Sequence, residues 1–135
     1  MISIPISTAF YLAARFSRRA EMRKVAADLI AAGHSVTSRW IHERAENENR
    51  SASYAKRDVA DVNACDAVIV FTDEARTTNS RGGHHVEMGL GMGLGKPIVV
   101  VGWRENVFHH LPDVTFFPDW PAALAALRPS LKIAA

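Results

Sequence analysis

Short, wholly apolar runs rich in β-branched residues recur along this chain, separated by longer segments whose apolar residues fall at helical spacing. Ala67-Val68-Ile69-Val70-Phe71 and Ile98-Val99-Val100-Val101 are bounded by turn-forming residues and read as strands buried on both faces. Residues 9–14, Ala-Phe-Tyr-Leu-Ala-Ala, predict a third such strand, central because it has no polar side. Residues 34–40 alternate instead, with Val36, Ser38 and Trp40 on one side, and predict a less buried outer strand. Val114-Thr115-Phe116-Phe117 predicts a short last strand.

Helices fill the gaps. Residues 15–19 form a turn, and Ser17 is placed to cap a helix that Glu21 reinforces. That helix turns Met22, Val25, Ala26, Leu29 and Ile30 to one face and ends before Gly33. Residues 42–57 are polar and charged, as in a long loop, a frayed helix or a lid. A helix follows from about 52 to 63, with Val59 and Val62 inward and Cys65 packed at its end. A loop over 72–80 leads into a crossover helix carrying Gly89, Gly91, Gly93 and Gly95. Each glycine there costs roughly 1 kcal/mol relative to alanine, so the pattern predicts a backbone approached closely by something. Residues 103–112 read as a loop. Asp119 and Pro121 open a final helix to about 127, before a tail expected to be disordered.

Strands joined by helices predict an α/β domain over residues 1–135. Right-handed crossovers give a five-stranded parallel sheet of order 2-1-3-4-5 with helices on both faces, the three-layer flavodoxin-like (Rossmann-like) arrangement. Its switch point lies between the first and third strands, so residues 15–19 and 73–87 should border one crevice.

Composition narrows the function classes. A hydrophobic share of 48% and a charged share of 22% describe a soluble globular chain. A net charge of +2 is too mild to argue for nucleic-acid or membrane binding. Cys65 is the only cysteine, which excludes an internal disulfide and suits the cytoplasm. No run is long enough to span a membrane, and the first residues lack the pattern of a signal peptide.

Glu87 stands in the early turns of the crossover helix, beyond the end of the third strand. It reads either as a nucleophile or general base, or as a carboxylate complementing the helix dipole. Asp58 reads either as a solvated aspartate or as a second acid leaning over the crevice. Asp61 is expected to face water, and Asp66 to sit in a turn. Arg15, Ser17, Arg18 and Arg19 on one side, and Ser80, Arg81, Gly82 and Gly83 on the other, form two loops at helix starts suited to an anion. Neither is a Walker motif or a dinucleotide fingerprint. The pairs His84-His85 and His109-His110 do not predict a metal, since adjacent helical residues diverge and no HxxxH or Cys/His set accompanies them. Trp40, Tyr11 and Phe16 are aromatics able either to stack on a base or to fill a core or rim.

Four stretches together resemble the nucleoside 2-deoxyribosyltransferase superfamily, which includes the 2′-deoxynucleoside 5′-monophosphate N-hydrolases. They are Leu12-Ala13-Ala14-Arg15-Phe16-Ser17, Asp58 ahead of Asn63-Ala64-Cys65-Asp66-Ala67-Val68-Ile69-Val70, Gly82-Gly83-His84-His85-Val86-Glu87-Met88-Gly89, and Gly95-Lys96-Pro97-Ile98. The resemblance implies that Glu87 attacks C1′ of the sugar to form a glycosyl-enzyme, and that Asp58 binds the base or protonates it. It implies that Ala13, Arg15, Phe16 and Ser17 line the base and sugar pocket, and that Arg39 and Trp40 border the base. The loop of Ser80, Arg81, Gly82 and Gly83 would hold the 5′-phosphate. It further implies a nucleotide or nucleoside substrate, no cofactor, no metal and a homo-oligomeric assembly. Cleavage of a nucleoside 5′-monophosphate is the expected reaction. Base exchange, a non-catalytic nucleotide-binding module, and a flavodoxin or receiver domain with Asp73 at a strand end are the alternatives.

Overall fold

The computed structural model describes residues 4–5, 7–44, 51–74 and 81–128. Ser80, the middle of the polar segment, most of the tail and residues 1–3 lie outside the described residues.

Five parallel strands form one sheet: β1 (Ala9–Ala13), β2 (Ser35–Val36), β3 (Ala67–Phe71), β4 (Ile98–Val101) and β5 (Val114–Phe117), in the order β2-β1-β3-β4-β5. This is the predicted flavodoxin-like α/β arrangement. Pairing runs the length of the centre, with Phe10 beside Ala67, Ala13 beside Val70 and Val70 beside Val100. β3 and β4 are buried at every position, as continuous apolar runs require. Helices α2 (Ala52–Ala64) and α3 (Gly83–Gly93) pack together, as do α1 (Arg19–Ala31) and α4 (Trp120–Leu127). No helix among the described residues is long and apolar enough to cross a membrane.

Several local expectations are corrected. The second strand is two residues long and gives way to a 3₁₀ turn, Arg39–His42. Trp40 lies in that turn because its indole Nε1–H donates to the Leu12 carbonyl at 2.8 Å, which folds the chain back over the end of β1. Ser17 does not cap α1. It lies in a 3₁₀ turn, Phe16–Arg18, and the helix begins at Arg19 without a side-chain cap. Ile30 and Val59 are 60% and 48% exposed, so neither belongs to the core. Their places are taken by the stripe Met22, Val25, Ala26 and Leu29 on α1, and on α2 by Val62 with Asp61.

Other readings hold. Gly33 ends α1 at φ +93°, a conformation L side chains rarely adopt. Asp119 accepts the Ala122 N–H and caps α4. Asp66 sits in the bend before β3, its carboxylate accepting the Ala9 N–H. Cys65 is buried just past the end of α2, and burial pushes its thiol up to about 11.

The glycines of α3 divide. At Gly91 a Cβ would lie 2.7 Å from Val68 Cγ2 and 3.3 Å from Ile98 Cδ1, so α3 meets the sheet there through bare backbone. At Gly89 and Gly93 a Cβ would meet nothing within 4 Å.

Candidate active site

The switch point between β1 and β3 is where the two turns meet, as predicted. β1 ends in buried Ala13 and Ala14, and β3 ends in buried Phe71, Thr72 and Asp73. Arg15 Nε donates to Asp73 Oδ1 at 3.0 Å, and Arg18 donates to the same oxygen and to the Thr72 carbonyl. Arg18 also pairs with Glu21, whose carboxyl its hydrogen bond holds below the usual range. The basic turn is therefore partly neutralised by Asp73, an acid whose burial the sequence does not announce. Ser17 is exposed, and Phe16 is half-buried with its ring 6.1 Å from Trp40. Trp40 and Tyr11 are buried, so of the candidate stacking aromatics only Phe16 is partly exposed, and the Arg19 guanidinium lies over its ring, 4.6 Å from the centroid.

Glu87 lies half-buried in the second turn of α3, the helix that follows β3. No hydrogen bond or ion pair reaches it among the described residues. Burial pushes its carboxyl up to about 8. Water still touches part of the residue. Unpaired carboxyls held in such surroundings cluster at functional sites.

Gly82 precedes α3 in the left-handed conformation, at φ +80° and ψ 12°. Its carbonyl accepts from the His85 and Val86 N–H groups. Arg81 and Gly83 are exposed beside it.

Asp58 is half-buried on α2, within reach of Arg57 at 3.4 Å, and burial raises its carboxyl above the usual value. Asp61 is buried, contrary to expectation. It takes the Arg39 backbone N–H at 3.0 Å and the Arg39 guanidinium at 2.8 Å. This pair fixes the 3₁₀ turn against α2, so Arg39 is anchored by Asp61 while its side chain remains 62% exposed. Arg57 also pairs with buried Glu43 and stacks over Tyr54, fastening together the two ends of the polar segment. A separate cleft of about 320 Å³, lined by Arg19, Arg23, His42, Glu43 and Arg44, opens beside α1 and this turn.

Glu105 was not foreseen as a site residue. It follows β4, and one carboxylate oxygen accepts the Asp73 N–H at 2.9 Å. Its other oxygen lies 2.9 Å from His85 Nε2 and 3.4 Å from His84 Nε2. Its own N–H donates to Nδ1 of buried His109. The two adjacent histidines do not diverge: their rings are 4.0 Å apart and both turn to one acid. The loop is ordered by a 3₁₀ turn, Val107–His110, that Asn106 caps by accepting the Phe108 N–H. Burial pushes both His84 and His109 below the usual histidine value.

A family model described as nucleoside 2-deoxyribosyltransferase matches residues 10–114. The chain belongs to that family. It is thus an enzyme of the glycosidase and transferase type, with a nucleoside or nucleotide as its class of substrate. The match runs from the second residue of β1 to the first residue of β5. Among solved structures, the Clostridium botulinum CMP N-glycosidase BcmB shares the fold at a TM-score of 0.60 and 18% identity, covering 88% of this chain and 97% of that one. A conserved protein from Enterococcus faecalis V583 shares it at a TM-score of 0.52 and 14% identity, covering 90% and 86%. No curated protein sequence matches the chain. At these identities the two structures speak for the fold alone.

Proposed function

We propose that this enzyme cleaves the N-glycosidic bond of a nucleoside 5′-monophosphate, with Glu87 as nucleophile. The observation that supports this most is the unpartnered, half-buried Glu87 in the second turn of α3, in a chain of this family. In its ionised form one Glu87 oxygen attacks C1′ of the sugar while the bond from C1′ to the base nitrogen breaks. The electron pair of that bond leaves with the base. Asp58, whose raised carboxyl retains its proton more readily, supplies the proton that neutralises it. Water then attacks C1′ of the glycosyl ester and gives its proton to the Asp58 carboxylate, returning the Glu87 carboxylate, restoring the Asp58 acid and releasing the sugar phosphate.

In this reading Phe16 and Ser17 border the base and sugar, with Trp40 as the wall behind Phe16, while Ala13, 0% exposed, lies in the core and does not line the pocket. Arg39 edges the base side. Arg15, Ser80, Arg81, Gly82 and Gly83 attract the phosphate at the start of α3. The enzyme works in the cytoplasm as a homo-oligomer. Exposed Val86, Trp103, Val107 and Phe108 supply apolar surface for that assembly, at the start of α3 and in the loop after β4. Sedimentation of the purified chain at a single-protomer mass would remove the oligomer from the reading.

Base release from a panel of nucleoside monophosphates, followed by chromatography, tests the reaction. Wild-type protein should free a base from at least one of them. Glu87→Gln should lower turnover at least 10³-fold while still binding the same nucleotide. If wild-type protein released no base from any member of the panel, hydrolysis would be excluded. Exchange of the base when a second base is added would assign transfer instead.

A further inference from the structure

We propose that His84, His85 and Glu105 form a binding site for one divalent transition-metal ion of the zinc class. The ligand atoms of the three residues all lie within 4.8 Å of one another. Two of the separations, 2.9 Å and 3.4 Å from the imidazole Nε2 atoms to one Glu105 oxygen, bracket the edge of a tetrahedral zinc site. With metal–ligand bonds of about 2.0–2.1 Å that edge is roughly 3.3 Å. Two imidazoles and one carboxylate suit zinc or cobalt better than magnesium or calcium, which prefer oxygen alone. Three protein ligands leave a fourth position for water or an anionic group.

The surroundings are those of a built site rather than a chance surface cluster. His84 is 2% exposed. The second Glu105 oxygen is engaged by the Asp73 N–H, which orients the carboxylate and leaves the oxygen nearer the histidines to face them. The Glu105 and Asn106 N–H groups both point to His109 Nδ1, fixing the loop that carries the acid. The ligands come from the start of α3 and the loop after β4, so an ion would join two neighbouring crossovers at the sheet's ligand-binding edge. Binding displaces the protons that the histidines share with Glu105. It also gives up the 3.5 Å contact from the Asn106 amide to His85 Nδ1, the longest in the cluster.

Titration of the whole metal-free chain with Co²⁺, followed by visible absorption, tests this without reference to turnover. One equivalent should give a d–d band of tetrahedral intensity that Zn²⁺ abolishes. His85→Asn and Glu105→Gln should each weaken Zn²⁺ binding at least tenfold by calorimetry, with unchanged far-UV circular dichroism. Both positions are partly exposed, and glutamine can still accept the Asp73 N–H, so these variants are chosen to fold. His42→Ala and His110→Ala should bind as wild type does. Absence of the band in wild-type protein overturns the site, as does binding that survives in both ligand variants. Either result would leave the three residues as a hydrogen-bonded clasp only.

Discussion

Glu87 carries a consequence for pH at the scale of a single residue. An acid whose value rises on folding keeps its proton in the folded chain after the unfolded chain has released it. Its contribution to stability is therefore full below the ordinary value of 4.5 and falls as pH rises from there to about 8. Glu87→Gln should flatten that fall. The variant should outlast wild type in denaturant at pH 8 by on the order of 1–3 kcal/mol, yet match it near pH 4. Catalysis needs Glu87 ionised and Asp58 protonated at once, so kcat/KM should hold level through a middle range and fall about tenfold per pH unit above about 8. A profile that already falls below pH 7 would show that Glu87 ionises normally.

Asp58 and Asp61 separate at the same scale. Asp61 is the anchor, a buried carboxylate holding Arg39 by backbone and side chain. Asp61→Ala should cost about 1 kcal/mol in thermal unfolding, because the 3₁₀ turn loses the Arg39 N–H bond that ties it to α2. Asp58→Asn should leave the melting temperature near wild type while lowering turnover about 10²- to 10⁴-fold. Reversal of the two outcomes would exchange the roles assigned to the two acids.

At the scale of the element, α3 shows that similar glycines do different jobs. Gly91→Ala must push a methyl toward Val68 Cγ2 in a fully buried strand. Overpacking of about 1–3 kcal/mol opposes roughly 1 kcal/mol of gained helix propensity, so a net loss of up to about 2 kcal/mol is expected. Gly89→Ala meets open space and should stabilise by up to about 1 kcal/mol. Paired urea melts decide both signs. The 3₁₀ turn after β2 gives the complementary lesson. Its alternation of apolar and polar residues is a strand pattern, yet the Trp40 indole bond to Leu12 and the Asp61 clasp on Arg39 outweigh it. Neither partner is near in sequence, so the local pattern holds no trace of them.

The whole molecule is organised by the three central strands. β1, β3 and β4 are paired on both sides, and β2 and β5 form the edges. Native-state hydrogen exchange should find the slowest amides in β1, β3 and β4, with the two-residue β2 opening first. Uniform protection across all five strands would contradict this order. The same topology brings the turn after β1, the start of α3 and the loop after β4 to one edge, and every group argued to act on substrate or metal lies along it or on the neighbouring α2 and 3₁₀ turn.

Sequence by itself determined the order of elements, the strand sequence of the sheet and the position of Glu87, because buried parallel strands must be apolar throughout and crossovers have one hand. The Gly33 helix end and the Asp119 cap were equally legible, being set by neighbours within a few residues. Only the tertiary structure decided that Asp61 and Asp73 are buried and paired, that Trp40 closes over β1, and that Glu105 gathers two adjacent histidines. These are contacts between residues far apart in the chain, some of them more than 50 positions. The burial of an acid depends on which distant cation or N–H meets it, and one-dimensional spacing carries no record of that meeting.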